Sequence, residues 1–246
     1  MDDGRTHEQA NSFGRAAGEY ERSRPTYPPE IARWLVPPTA TTVVDVGAGT
    51  GKFTRALVDL GVDVIAVEPD PVMLATLSGA LPGVRAVEGT AESMPLPDAA
   101  ADVVTLAQAW HWVDPERALP EIARVLRPGG TLGLTWNIRD EREPWVAALS
   151  EVIDHSDAER FVRSPIEIGG PFGPTEMFEV RWSRPMTLDG LLELVKSRSY
   201  IITASPGDRQ RMLDGVARLV AEHPDLAGKE TFELPYRTFA FRASLR

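Results

Sequence analysis

From about residue 41 to 137 the apolar positions alternate between two patterns. Short unbroken runs of Val, Leu and Ile are separated by stretches in which apolar residues recur every three or four positions. The runs predict strands buried on both faces, and the stretches predict amphipathic helices. Strands are expected over Thr41–Val46, Val62–Val67, Val84–Val87, Asp102–Ala107 and Thr131–Trp136. Phe53, Ala56, Leu57 and Leu60 mark the apolar face of the helix between the first two, which Gly61 ends. Asp70 followed by Pro71 reads as an N-cap and first helical position. Asp114-Pro115 repeats the signal, but Pro120 would cost ~3 kcal/mol inside a continuous helix. A short turn near 115–118 and a second helix start near Leu119 are therefore expected, closed by a turn at Arg127-Pro128-Gly129-Gly130. Strands alternating with helices in this way predict a doubly wound α/β domain built on a mostly parallel sheet.

The pattern changes after Trp136. Residues 138–175 are polar and punctuated by proline, with one helix expected over about 144–154. Phe178, Val180 and Trp182 alternate as a strand, and Arg237–Ala243 alternates again. Between them Leu188, Leu191, Leu192 and Val195 mark one helix, and Met212, Val216, Leu219 and Val220 another. These late strands predict an antiparallel edge, with the helices forming a cap. Residues 1–40 carry Pro25, Pro28 and Pro29 and read as an extended arm. The expected organisation is an arm over 1–40, a ligand-binding core over 41–137, and a segment over 138–246 that completes the sheet and carries the cap. Trp34, Trp136 and Trp182 are expected to pack internally, and Arg139-Asp140-Glu141-Arg142-Glu143 to form a solvated loop.

Composition narrows the function. A chain of 246 residues, 43% of them hydrophobic, can bury a large core without staples. It has no cysteine, which excludes disulfides, thiolate metal sites and cysteine nucleophiles, and fits a reducing, cytoplasmic setting. A net charge of −10 does not favour nucleic acid, whose binding needs clustered Lys and Arg. No run approaches the ~20 apolar residues of a membrane span. His7, His111, His155 and His223 lack ligand spacing, so no metal site is expected.

The densest chemistry lies at Asp45-Val46-Gly47-Ala48-Gly49-Thr50-Gly51-Lys52, where a buried strand opens into a glycine turn and a helix. Glycines there let the backbone bend and approach a ligand where a Cβ would collide. The free N–H groups of the following helix suit a nucleotide-like ligand with an anionic end. The turn is not a P-loop: Val46 and Phe53 stand where glycine and a hydroxyl are needed. A dinucleotide turn would place its third glycine one residue later. Glu68 ends the second strand, where a carboxylate can accept both hydroxyls of a ribose. That feature indicates a nucleoside without saying which.

Four segments in order now carry a resemblance: Asp45–Gly51, Glu68-Pro69, Gly89-Thr90-Ala91-Glu92-Ser93-Met94-Pro95, and Arg124-Val125-Leu126-Arg127-Pro128-Gly129-Gly130. Together they resemble the class I S-adenosylmethionine-dependent methyltransferases that act on small molecules, related to the ubiquinone and menaquinone biosynthesis type. Phe13, Tyr20, Arg24-Pro25, Tyr27-Pro28 and Trp110-His111-Trp112 are similar to the trans-aconitate-methyltransferase-like branch. The resemblance covers about 12–137 well and the rest in general layout. It implies a Rossmann-like, mostly parallel sheet of seven strands.

It also implies S-adenosylmethionine as cofactor, a small organic methyl acceptor as partner, and methylation at oxygen or carbon, with a carboxylate among the acceptors. Gly47, Ala48, Gly49, Thr50 and Gly51 would hold the methionine part, and Asp45 would face its amino group, directly or through water. Glu68 would hold the ribose. Pro69 and Met73 would line the adenine pocket, bordered by Ala91 and Glu92, although Met73 also fits a core position. Gln108 and Ala109 would lie near the methyl. Trp110 and Trp112 would shape the acceptor pocket, with Tyr20, Arg24 and Tyr27 closing it from the arm and Tyr200 reaching it from the cap. Arg198 could bind an acid. His111 could act as general base or simply fix its loop. The rivals are a nicotinamide-dependent oxidoreductase and a cofactor-binding regulator without catalysis.

Overall fold

The computed structural model describes residues 24–202 and 204–246. Phe13 and Tyr20 lie outside them, as does the side chain of Tyr200. The elements run α1 (Pro29–Leu35), β1 (Thr42–Val46), α2 (Lys52–Val58), β2 (Asp63–Glu68), α3 (Pro71–Ala80), β3 (Arg85–Glu88), β4 (Ala101–Ala107), a 3-10 turn (Trp110–Trp112), α4 (Pro115–Val125) and β5 (Leu126–Arg139). They continue with α5 (Pro144–Ile153), α6 (Asp157–Val162), β6 (Glu176–Met186), α7 (Leu188–Lys196), α8 (Ser199–Ile202), α9 (Pro206–Glu222) and β7 (Phe232–Ser244).

The seven strands form one sheet in the order β3-β2-β1-β4-β5-β7-β6. β1 pairs in parallel with both β2 and β4, so the chain's order reverses between β1 and β4. In open α/β sheets that reversal opens a crevice at the carboxyl ends of the strands. β2–β3 and β4–β5 are parallel as well. β7 runs against β5: Asp140 N–H donates to Pro235 O at 3.0 Å, and Thr238 Oγ1 to Asn137 Oδ1 at 2.6 Å. The doubly wound α/β expectation holds, with the antiparallel strand inserted inside the sheet edge and β6 outermost.

Contacts divide the chain into two compact units. The larger comprises 26–137, 162–180 and 238–246. Its core includes Ile31, Ala32 and Leu35 of α1, Val43, Phe53, Leu57, Val103 and Ala240. α1 is therefore built into this core. It approaches closely because a Cβ on Gly133 would lie 2.9 Å from Leu35 Cδ2. Tyr27 packs edge-on against Phe53 with centroids 4.9 Å apart, and Asn137 Nδ2 donates to the Thr26 carbonyl at 3.0 Å.

Among the described residues, the second unit comprises 24–25, 138–161 and 181–237. Its core joins Trp145, Leu149 and Ile153 of α5, Leu191 and Leu194 of α7, Val216 and Val220 of α9, and Phe232, Leu234 and Tyr236 of β7. Thus 41–137 falls within one unit, while 138–246 contributes to both.

Three expectations are corrected. α4 is one helix through Pro120. Asp114 caps it and Pro115 takes N1, so the inner proline removes one early bond. Burial of Ala118, Leu119, Ile122 and Val125 outweighs that loss. Second, Arg127-Pro128-Gly129-Gly130 is no turn between elements but a bulge within β5. Ala101 pairs with Leu126 and Val103 with Thr131, and Gly129 takes φ +75° to absorb the extra residues. Third, the charged run after Ile138 is only partly solvated. Arg139 ends β5 at 2% exposure, and Asp140 is buried while paired with Arg142.

Candidate active site

β1 ends in a turn whose glycines all have positive φ: Gly47 +64°, Gly49 +57° and Gly51 +92°. Gly47 and Ala48 N–H donate to the Val67 carbonyl of β2 at 2.9 and 3.2 Å, folding the turn over the neighbouring strand end. A Cβ on Gly47 would lie 2.8 Å from Ala109 Cβ, so the loop leaving β4 closes against the turn only because that atom is missing. Met73 Sδ stands 3.7 Å from where a Cβ on Gly49 would sit. Gly47 and Ala109, and Gly49 and Met73, are thus brought together. Ala48 and Thr50, adjacent to these glycines in sequence, are both buried.

Glu68 ties this turn to the next helix. Its Oε2 accepts from Gly49 N at 2.8 Å and its Oε1 from Asp70 N at 3.0 Å. Asp70 in turn caps α3, its Oδ1 accepting from Val72 N and Met73 N. Glu68 is 6% exposed, and burial raises its pKa against the two amides, which favour the carboxylate. Each oxygen accepts one of these bonds and keeps acceptor capacity for a ligand hydroxyl. Pro69 is exposed and Met73 buried.

Asp45 is fully buried, with Oδ2 accepting from Thr54 Oγ1 at 2.6 Å and Oδ1 from Thr105 Oγ1 at 3.0 Å. The carboxyl braces β1, β4 and α2, because buried Thr54 and Thr105 present hydroxyls to it. Burial, only partly offset by these two bonds and reinforced by the Glu68 charge, raises its pKa to about 6.

This fixes a pH dependence. A carboxyl whose folded pKa lies above its unfolded value contributes stability in full below the unfolded pKa, near 3.8, and loses it as pH rises through about 6. Asp45→Asn should flatten that decline and be more stable than the parent at pH 8 by about 1–3 kcal/mol. Urea denaturation at pH 5 and pH 8 measures the difference, and an identical slope in both proteins would refute the assignment.

On the β4 side, Gln108 has φ +57°, rare for a residue with a Cβ. Its N–H donates to Thr135 O at 2.8 Å and its Nε2 to Asn137 O at 2.9 Å, which hold it there and aim Ala109 at Gly47. Such held strain at a strand end is typical of functional turns. Ala91 is buried, while Glu92 Oε1 accepts from Asp114 N at 2.9 Å and so steadies the start of α4.

In the 3-10 turn Trp110 is 5% exposed and serves as wall, while His111 and Trp112 are half-buried. Trp136 Nε1 lies 3.4 Å from His111 Nδ1. An indole N–H can only donate, so this contact favours the imidazole with its hydrogen on Nε2. That form offers a donor rather than a base.

Arg24, proposed from the sequence for substrate, donates from Nη2 to the Ser197 carbonyl at 2.9 Å within the second unit. Thr54, Thr105 and Asn137 were missed. The available signal was a polar residue in the middle of an otherwise apolar strand or helix face.

A doubly wound domain with a glycine turn and a strand-end acid at its reversal point defines a nucleoside-binding α/β protein. The comparisons say which class. Residues 44–134 match the family model described as a methyltransferase domain. An uncharacterized methyltransferase of Mycobacterium tuberculosis is 51% identical over 234 residues, covering 95% of this chain and 96% of its own. A solved structure from Anaeromyxobacter dehalogenans, provisionally titled a type II methyltransferase, aligns with TM-score 0.59 at 25% identity over 91% of this chain and 97% of its own. A solved S-adenosylmethionine-dependent methyltransferase of Thermotoga maritima shares the fold, with TM-score 0.51 at 21% identity over 95% and 98% of the two chains. The chain belongs to the class I S-adenosylmethionine-dependent methyltransferases. The nicotinamide-oxidoreductase alternative is not favoured.

Proposed function

We propose that this enzyme methylates a small organic acceptor at oxygen or carbon, with the cofactor held by the turn after β1 and the ends of β2 and β4. The observation that carries this reading is the Glu68–Gly49 bond: a buried carboxylate at the end of β2 pinned to the glycine turn that follows β1, beside the point where the strand order reverses. These residues fit a sulfonium nucleoside. Gly47, Ala48, Gly49, Thr50 and Gly51 would wrap its amino-acid part, and Glu68 would accept from its ribose hydroxyls. Pro69, Met73, Ala91 and Glu92 would border adenine, and Gln108 and Ala109 the sulfur end. When bound, the cofactor supplies a methyl already activated on a sulfonium.

The chain's own task is then alignment and exclusion of water, and alignment can supply about 7–11 kcal/mol. Trp112 and His111 follow β4, the place from which such sheets present residues to ligands. In the tautomer set by Trp136, His111 Nε2–H would donate to an acceptor oxygen and orient it. A carboxylate acceptor needs no base. Trp110 shapes the wall, and Tyr27 anchors the strand of chain entering α1. Tyr20, Arg24 and Tyr200 remain proposed acceptor contacts.

Glu68→Ala should weaken S-adenosylhomocysteine binding by about 1–3 kcal/mol, or roughly 5–150-fold, through the lost ribose contacts. Calorimetry reads this directly, and unchanged affinity would overturn the assignment. Mass spectrometry with labelled cofactor against carboxylic acids, phenols and quinone precursors tests the acceptor class. Cofactor binding without transfer to any of them would favour the regulatory rival.

A further inference from the structure

The second unit holds an arrangement that cofactor binding does not use. Its β5 and β7 segments pair antiparallel, and the register set by Asp140 N–H to Pro235 O places Arg139 directly opposite Tyr236. Directly opposed residues project to the same face of a sheet. Both are buried, at 2% and 1% exposure. Arg139 Nε donates to Glu159 Oε1 at 3.0 Å, which occupies one arm of its fork. Its Nη2 is buried without a hydrogen-bond partner, and so is the Tyr236 hydroxyl.

Arg184, Arg198 and Arg24, with Arg139, lie close enough for their charges to act on the phenol. Arg198 Nη2 is also 3.7 Å from Glu159 Oε1. The Tyr236 ring is stacked on Trp182 with centroids 5.1 Å apart, so the hydroxyl has little freedom to seek another partner.

Two buried donors left unsatisfied on opposed residues cost about 1–3 kcal/mol each. A fold retains such groups for a reason. An oxyanion resolves both, because it accepts from a guanidinium arm and a phenol together and is favoured by the surrounding cations. Met186, Leu194 and Val195 belong to the same core as Tyr236, and Trp182 packs against it, so the anion's bearer has an apolar body.

We propose that Arg139 Nη2 and the Tyr236 hydroxyl, backed by Arg184 and Arg198, form a recognition site for the carboxylate of a small organic acid. That this acid is the methyl acceptor rests on the methyl-transfer reading above; that it binds does not.

The test is calorimetry and thermal unfolding of the full chain with succinate and tricarballylate as probes, inorganic phosphate as a rival anion, and succinamide as an uncharged control. The acids should bind and raise the unfolding temperature, and succinamide should do neither. Tyr236→Phe should weaken succinate roughly 10–100-fold, as expected for a bond to a charged group. Without ligand it should unfold at the same temperature or higher, because only an unpaired hydroxyl is lost. Arg139→Lys keeps a cation for Glu159 but removes the second arm, and should lose succinate while staying folded.

No binding by either acid overturns the proposal, as does full affinity in Tyr236→Phe. Phosphate binding as tightly as succinate overturns the carboxylate assignment. Acids that bind without becoming methylated would leave this site standing and remove them as acceptors. Methylation of an acid with KM unchanged in Tyr236→Phe would sink the site and leave methyl transfer intact.

Discussion

Glu159→Gln should destabilise the second unit by about 3–5 kcal/mol, the usual cost of removing one partner from a buried ion pair. Glu159 is 3% exposed. One oxygen faces Arg139 Nε at 3.0 Å and Arg198 Nη2 at 3.7 Å, and the other accepts from Ser156 N at 2.7 Å and Oγ at 2.9 Å. Every partner is a donor. Whichever way a glutamine is turned, its NH2 group confronts either the arginines or Ser156, and the buried Arg139 and Arg198 guanidinium groups lose the carboxylate that faces them. In a chain of this length the midpoint of thermal unfolding should fall by about 10 °C.

The pH dependence identifies the cause. Burial pushes the Glu159 carboxyl up, but the charges of Arg198 and Arg139 and the Ser156 bonds outweigh it and hold its pKa at about 2. A depressed pKa contributes stability that is present in full above the unfolded value, near 4.5, and is lost as pH falls through about 2. The gap between parent and variant should therefore be full at pH 7 and narrow progressively below pH 4.5. Chemical denaturation at pH 7, 4 and 3 measures this. A gap of the same size at all three would trace the effect to packing rather than charge.

Glu159 and its arginines also show where sequence reading stops. Arg139 heads the run Arg139-Asp140-Glu141-Arg142-Glu143, whose composition is that of a solvated loop. Arg139 is buried because β5 runs three residues past Trp136 and because β7, nearly a hundred residues on, pairs with that extension. Neither event has a local signature. The partners Glu159, Arg198 and Tyr236 come from α6, the turn after α7 and β7, and no spacing rule connects them.

The same contrast appears in the larger unit. The glycine turn, Glu68 and the Asp70-Pro71 cap are each set by residues within a few positions, so strand runs and turn chemistry sufficed to find them. The brace on Asp45 depends on Thr54 and Thr105, which lie on other elements, and a lone threonine in an apolar run has several ordinary explanations. Pro120 misled because propensity is local, whereas the apolar face that keeps α4 whole is decided by the core beneath it.

Gly47→Ala should abolish measurable cofactor binding while leaving the second unit's packing unchanged. Two costs coincide at this position. With φ +64° an alanine is held in the left-handed region, at roughly 1–2 kcal/mol. Its Cβ would also lie 2.8 Å from Ala109 Cβ, a distance real side chains do not tolerate, so the turn or the β4 loop must move. The β4 loop cannot yield freely, because Gln108 is pinned through Thr135 O and Asn137 O. Displacement therefore falls on the turn, which carries Gly49 N–H away from Glu68 and breaks the link that positions the carboxylate. Overpacking of this kind costs about 1–3 kcal/mol in stability. Calorimetry with S-adenosylhomocysteine should show at least a hundredfold loss, corresponding to about 2.7 kcal/mol. Gly129→Ala is the control: its φ of +75° imposes similar strain, but a Cβ there meets nothing within 4 Å. If both variants bind the cofactor equally well, the closure of Ala109 on Gly47 is not what shapes the pocket.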